Sequence, residues 1–100
     1  MQQRETPQDW TPEQVMKACK AAGMTLRQLS ISYTDGKSAT VLYRALRDAS
    51  CARYEEVIAE LLGLRVEDIW PERCAIRAAI AEKRAQAMQR VQTITARQVA

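Results

Sequence analysis

The sequence predicts an all-α fold: a small bundle built around a helix-turn-helix, followed by a basic tail that is helical or partly disordered. Three observations lead there. Thr11 with Gln14 and Thr25 with Gln28 have the spacing of capping boxes, which mark helix starts. Apolar residues recur at helical intervals, at Leu26, Leu29 and Tyr33 and again at Leu42, Ala45, Leu46 and Ala49. Between those two runs, Asp35-Gly36 breaks the pattern, because glycine tolerates positive φ and aspartate favours turns.

In chain order, residues 1–8 are polar and read as a flexible N-terminus. The first helix starts at Thr11, with Pro12 in the first helical position, where its missing N–H costs nothing. Val15, Ala18, Cys19 and Ala22 form its apolar stripe, Gly23 is its C-terminal cap, and Trp10 just before the cap can staple the chain to the core. Met24 leads directly into the Thr25 helix, where Ser30 is small enough to let a crossing helix approach closely. Thr34-Asp35-Gly36-Lys37-Ser38 makes the turn, and Ser38 can cap a second motif helix spanning 38–49. A further helix is expected over about 53–62, with Tyr54, Val57, Ile58, Leu61 and Leu62 inward, Glu55, Glu56 and Glu60 on a solvated face, and Gly63 as the stop. Val66 to Trp70 adds a short helical turn halted by Pro71, with Ile69 and Trp70 closing the core.

From Ala75 the chain is rich in Ala, Gln and Arg, all good helix formers. Ile76, Ile80, Met88, Val91 and Ile94 give only a broken apolar stripe, so a helix to about Arg90 with fraying beyond is expected. Such a tail can dock on the domain, pair with another copy, lie along DNA, or remain a solvated helix that fades into disorder.

Charge is unevenly distributed around the net value of +3. Residues 26–53 carry Arg27, Lys37, Arg44, Arg47 and Arg53 against Asp35 and Asp48. Residues 54–74 are acidic, and 75–100 carry five basic side chains against Glu82. An anionic partner is therefore favoured at the motif and the tail and disfavoured between them. A membrane surface fits poorly, because the basic faces lack large apolar residues to insert. No run approaches spanning length, and the polar N-terminus does not read as a signal peptide. Cys19, Cys51 and Cys74 are widely spaced and histidine is absent, so neither a zinc site nor a disulfide framework is expected. Cys19 falls on an apolar face. Without histidine, a glycine-rich phosphate loop or a metal-ligand cluster, neither catalytic residues nor a cofactor are expected.

The outward face of the 38–49 helix carries Ala39, Thr40, Tyr43, Arg44 and Arg47, with Lys37 just ahead of it. Such a face suits a groove lined by phosphates and base edges. An ordinary helical hairpin with a solvated polar face has the same periodicity.

Asp-Trp-Thr-Pro-Glu-Gln-Val at 9–15, Thr-Leu-Arg-Gln-Leu-Ser at 25–30, Val-Ile-Ala-Glu-Leu-Leu-Gly at 57–63 and Glu-Asp-Ile-Trp-Pro-Glu-Arg at 67–73 occur in that order. Together they resemble the Ner family of phage DNA-binding regulators and their bacterial Ner-like (sugar fermentation stimulation) relatives. The resemblance covers 9–74, and its most specific piece is Ile-Trp-Pro-x-Arg. It implies a lambda-repressor-like five-helix domain over 9–74, with 75–100 as an appended tail. It places Ser30 where the motif helices cross, Leu42 and Leu46 on the buried side of the recognition helix, and Ala39 and Thr40 toward the bases. The turn at 34–38 is longer than the family pattern, and Cys74 stands where an aromatic residue is usual.

Residues and resemblance together predict a regulator that binds double-stranded operator DNA and represses phage-type early promoters, in the cytoplasm of a bacterial host and on its nucleoid when bound. Its contact set is Arg27, Gln28, Lys37, Ser38, Ala39, Thr40, Tyr43, Arg44 and Arg47. A domain this small is expected to act as a homodimer or a cooperative pair on DNA, with 75–100 as a possible protein-binding element. The alternative is a protein-interaction module with little DNA affinity, which the long turn and the acidic 54–74 segment would suit.

Overall fold

The computed structural model describes residues 7–99. The expectation for the N-terminus falls, for residues 1–6, outside the described residues. Six α-helices follow in order: α1 (Pro12–Ala21), α2 (Leu26–Tyr33), α3 (Arg44–Arg47), α4 (Ala52–Leu62), α5 (Val66–Ile69) and α6 (Pro71–Val99). A single 3-10 turn, Val41–Tyr43, runs straight into α3.

Both capping boxes form. The Gln14 N–H donates to Thr11 Oγ1 at 3.2 Å and the Thr11 N–H to Gln14 Oε1 at 2.8 Å. Thr25 and Gln28 repeat the exchange at 3.1 and 2.9 Å. Each satisfies an amide that a helix start leaves without an intrahelical partner. At the end of α4, Gly63 adopts φ 68° and lets the Leu64 N–H reach back to the Ala59 carbonyl at 3.0 Å.

Val15 and Cys19 of α1, Leu26 of α2, Leu42 and Ala45 of the recognition segment, Ile58 and Ala59 of α4, and Ile69 and Trp70 make the core. Trp10 packs against it from outside. Burial without a counter-charge raises the Cys19 thiol pKa, as expected of a cysteine used as a small apolar residue.

Two motifs far apart in sequence turn out to be one structural unit. The Trp10 N–H donates to the Ile69 carbonyl at 2.9 Å. Asp9 Oδ1 accepts the Glu72 N–H at 2.8 Å, while Glu72 Oε1 accepts the Asp9 N–H at 2.9 Å. This is the chemistry of a capping box, with the cap for α6 supplied from the other end of the domain. Pro71 thus both stops α5 and occupies the first position of α6, where no N–H is required.

Several expectations need correction. The motif helix does not span 38–49. Asp35 (φ 56°) and Gly36 (φ 84°) are left-handed, the chain stays irregular to Thr40, and helix extends only over 41–47. Its end is set by Asp48, whose carboxylate accepts the Ser50 N–H at 2.9 Å and so favours a turn over another helical residue. Ala49 is consequently exposed rather than buried. Ala22, the C-cap of α1, is exposed as well. Tyr33 stands at the edge of the core, 42% exposed, with its ring edge-on to Tyr54 at 6.1 Å between centroids. Glu55 is completely buried instead of lying on a solvated face with Glu56 and Glu60. The tail is helical through Val99, past Arg90, with every side chain exposed from Ala78 to Val99.

Candidate nucleic-acid interface

The recognition segment is held by hydrogen bonds as much as by apolar packing. Ser30 is fully buried where α2 crosses it; its Oγ donates to the Leu26 carbonyl at 2.9 Å and accepts the Leu42 N–H at 3.2 Å. The small residue therefore both admits the crossing chain and satisfies an amide that the start of a helix leaves free. Thr34 staples the turn, its Oγ1 accepting the Ser38 N–H at 2.9 Å and lying 2.8 Å from the Ser30 carbonyl it can donate to. Ser38 acts as a cap, though ahead of the helix proper, since its Oγ accepts the N–H groups of Thr40 (3.2 Å) and Val41 (3.1 Å).

The tight first turn changes which side chains align. In a 3-10 turn residues i and i+3 eclipse, so Tyr43 stands over Thr40, and Arg47 follows one α-turn later. Thr40, Tyr43 and Arg47 line one open groove with Leu46, Pro12 and Met16. Arg44 is exposed beside this row, and Lys37 is exposed on the turn leading into it. Ala39 is half-buried between them. Arg27 is exposed in the first turn of α2, where aligned peptide dipoles favour an anion. The structure therefore brings Thr40, Tyr43 and Arg47 together in one groove, with Lys37 and Arg44 exposed on the same segment and Arg27 exposed on α2. Gln28 and Ser38 have local duties, since the Gln28 side-chain carbonyl and the Ser38 hydroxyl oxygen are both accepting backbone amides.

Sequence reasoning missed the support behind this face. The buried Glu55 carboxylate receives Arg73 Nη1 at 2.8 Å on Oε2, and Arg77 Nη1 at 2.6 Å and Nη2 at 2.7 Å on its two oxygens. The same guanidinium groups donate to carbonyls at the end of the recognition segment, Arg73 to Ala45 and Leu46 and Arg77 to Ala49. Cations at a helix C-terminus oppose its negative dipole end and satisfy its free carbonyls. Arg73 is further fixed by Asp9 at 3.8 Å and by the Trp70 ring, whose centroid lies 5.3 Å from the guanidinium carbon. The hydrogen bonds to Glu55, opposed only in part by desolvation, push the Arg77 pKa up. A clue was present in the sequence: Glu55 lies three and four residues before Ile58 and Ala59, on the buried face of α4, and Arg73 and Arg77 are one helical turn apart.

Residues 9–87 match the family model described as winged helix-turn-helix DNA-binding. The chain is also 32% identical over 76 residues to a negative regulator of transcription from Escherichia phage D108, a match covering 73% of this chain and 96% of that one. The chain belongs to the Ner-like helix-turn-helix DNA-binding family. Among the described residues no strand occurs, so they contain no β-hairpin wing. Nor is any helix among them long and apolar enough to cross a membrane.

Proposed function

We propose that this protein is a repressor that reads double-stranded operator DNA in the major groove with residues 37–47, the type of site a phage early promoter provides. The observation carrying this reading is the row of exposed Thr40, half-buried Tyr43 and exposed Arg47 lining one open groove, with exposed Arg44 and Lys37 on the same segment of a helix-turn-helix. That the phage D108 relative is a negative regulator of transcription supports the sign of regulation. In this reading Arg44 and Arg47 reach guanine edges or phosphates, and Thr40 and Tyr43 meet base edges or a thymine methyl. Lys37, Arg27, the Gln28 side-chain NH2 and the Ala39 N–H position the backbone, with Ser38 holding the turn beside them. Residues 9–74 form the body of the DNA-binding domain, which Arg77 of α6 also braces, and the rest of 75–100 is an appended tail; two copies occupy a two-part operator in the bacterial cytoplasm.

Operator binding by Arg44→Ala tests the reading. Arg44 is exposed and pairs with no carboxylate among the described residues, so its loss should leave the fold intact. A base-reading arginine should cost about 1–3 kcal/mol of specific affinity and relax sequence preference at one position. Equal loss on operator and scrambled duplex would reassign Arg44 to phosphate contact. Salt-insensitive, feeble binding by the parent protein would overturn the reading, because phosphate neutralisation releases counterions and must weaken as salt rises.

A further inference from the structure

Pro12, Met16 and Cys19 share one face of α1, at i, i+4 and i+7. Cys19, at the inner end of that face, is completely buried in the core, whereas Met16 is 37% exposed and Pro12 is exposed. The uncovered end lies against the recognition segment. Pro12 and Met16 line the same open groove as Thr40, Tyr43, Leu46 and Arg47. Tyr43 and Leu46 are half-buried and pack on the core, so the groove extends the apolar interior to a place the domain itself leaves open. Among the described residues, Arg47 is the one charged side chain in its lining, and no carboxylate is there to repel a phosphate.

The position of the groove selects its occupant. Thr40, Tyr43 and Arg47 are half of its lining and are also the row turned to DNA in the reading above, so a protein seated there would cover that row. The group that fills it must therefore come from the DNA. On the major-groove edges of base pairs every group is a hydrogen-bond donor or acceptor except the thymine 5-methyl. A donor or acceptor pressed against Pro12 and Met16 would lose its water without gaining a partner, which costs free energy, whereas a methyl group gains by leaving water. Methionine suits such a contact, because its unbranched, polarizable side chain adapts to a group that arrives with the partner.

We propose that Met16, which lies outside the helix-turn-helix, is a specificity-determining residue: with Pro12 and Tyr43 it encloses the 5-methyl group of a thymine and so favours an A·T pair at one position of each half-site. The inference deepens the operator-reading proposal and rests on it. It adds a base pair that is recognised by apolar contact, beside those that the arginines read by hydrogen bonds.

The experiment removes that methyl group alone. A duplex is selected from a random pool for tightest binding to the full-length protein, and each of its thymines is replaced singly by deoxyuridine, which keeps the base pair. For the parent, one position in a half-site should lose about fourfold in affinity, the worth of burying one methyl-sized group. In Met16→Ala the thymine preference at that position should fall below about twofold while preferences elsewhere stay as they were, and Met16→Leu, which keeps the apolar bulk, should retain it. Met16 is more than a third exposed, so both variants should keep the parent's helical circular dichroism. A parent indifferent to deoxyuridine at every position would overturn the proposal. So would a Met16→Ala variant that keeps the full preference, or one that weakens selected and scrambled duplexes by the same factor, which would place the groove on deoxyribose. Failure of the operator reading looks different: the parent would then bind selected and scrambled duplexes alike before any thymine is altered.

Discussion

Arg73 is where stability and the DNA-facing surface are joined, and Arg73→Met isolates its contribution. The substitution keeps most of the apolar stem but removes the hydrogen bonds to Ala45, Leu46 and Glu55, the Asp9 pair and the stacking on Trp70. Glu55 would stay buried with only Arg77 to neutralise it. Removing one partner of a buried ion pair typically costs about 3–5 kcal/mol. Because Arg77 still holds both carboxylate oxygens, the lower end, about 3 kcal/mol, applies. Against the roughly 5–15 kcal/mol of an ordinary domain that is a large share, and it should be plain in urea unfolding. Two freed carbonyls at the end of the recognition segment should also lower operator affinity under conditions where the variant is folded. Glu55→Met with Arg73→Met removes both charges, so the double variant should be more stable than the sum of the single losses predicts. A loss under about 1 kcal/mol for Arg73→Met, or strict additivity in the cycle, would refute the view that this buried ion pair braces the recognition segment.

Ser30→Ala leaves the Leu42 N–H without its acceptor in a buried position and should cost about 1–3 kcal/mol by urea unfolding, whereas a neutral result would mean that water reaches the crossing. Asp9→Ala removes the cap supplied to α6 from the other end of the domain, and about 1 kcal/mol of stability should go with it, together with faster amide exchange at Glu72 and Arg73. Lys37→Ala should weaken operator and scrambled duplex alike and reduce the salt slope by about one, as measured by a fluorescence-anisotropy salt series. The Ser50 amide, and behind it Arg73 and Arg44, hold the Asp48 carboxyl below its usual range. The Arg65 amide does the same for Asp68. A lowered folded-state pKa adds stability above the ordinary carboxylate range and loses it as pH falls through the lowered value. The acid limb of the stability profile should therefore flatten in Asp48→Asn with Asp68→Asn, and an unchanged limb would show that these exposed carboxyls do not contribute.

Within this fold, local and distant information separate along clear physical lines. The starts of α1 and α2 were legible because a capping box is complete within four residues of chain, and the ends at Gly23 and Gly63 because glycine takes a positive φ without the steric cost of a Cβ. The burial of Ile69 and Trp70 was legible from two large apolar groups in an acidic stretch. That Leu42 and Ala45 face inward and Thr40, Arg44 and Arg47 outward was also legible from helical periodicity, whereas half-buried Ala39 and Tyr43 and exposed Ala49 depart from it.

The length of the recognition segment was not legible. Two left-handed residues, Asp35 and Gly36, and the turn at Asp48–Ser50 shorten it at both ends, and the Ser30 hydroxyl that holds its start belongs to another helix. Nor did local sequence disclose that Glu55 is buried, because a carboxylate on an α4 face is ordinarily solvated unless cations from elsewhere meet it. Arg73 and Arg77 arrive from about 20 residues away, and Asp9 reaches α6 across 63. Helix identity and the exposed basic face thus came from the chain itself, through caps, glycines and spacing that act over a few residues. Where the recognition segment begins and ends, and what braces it, was decided by tertiary structure, since those hydrogen bonds and ion pairs exist only once distant segments have packed.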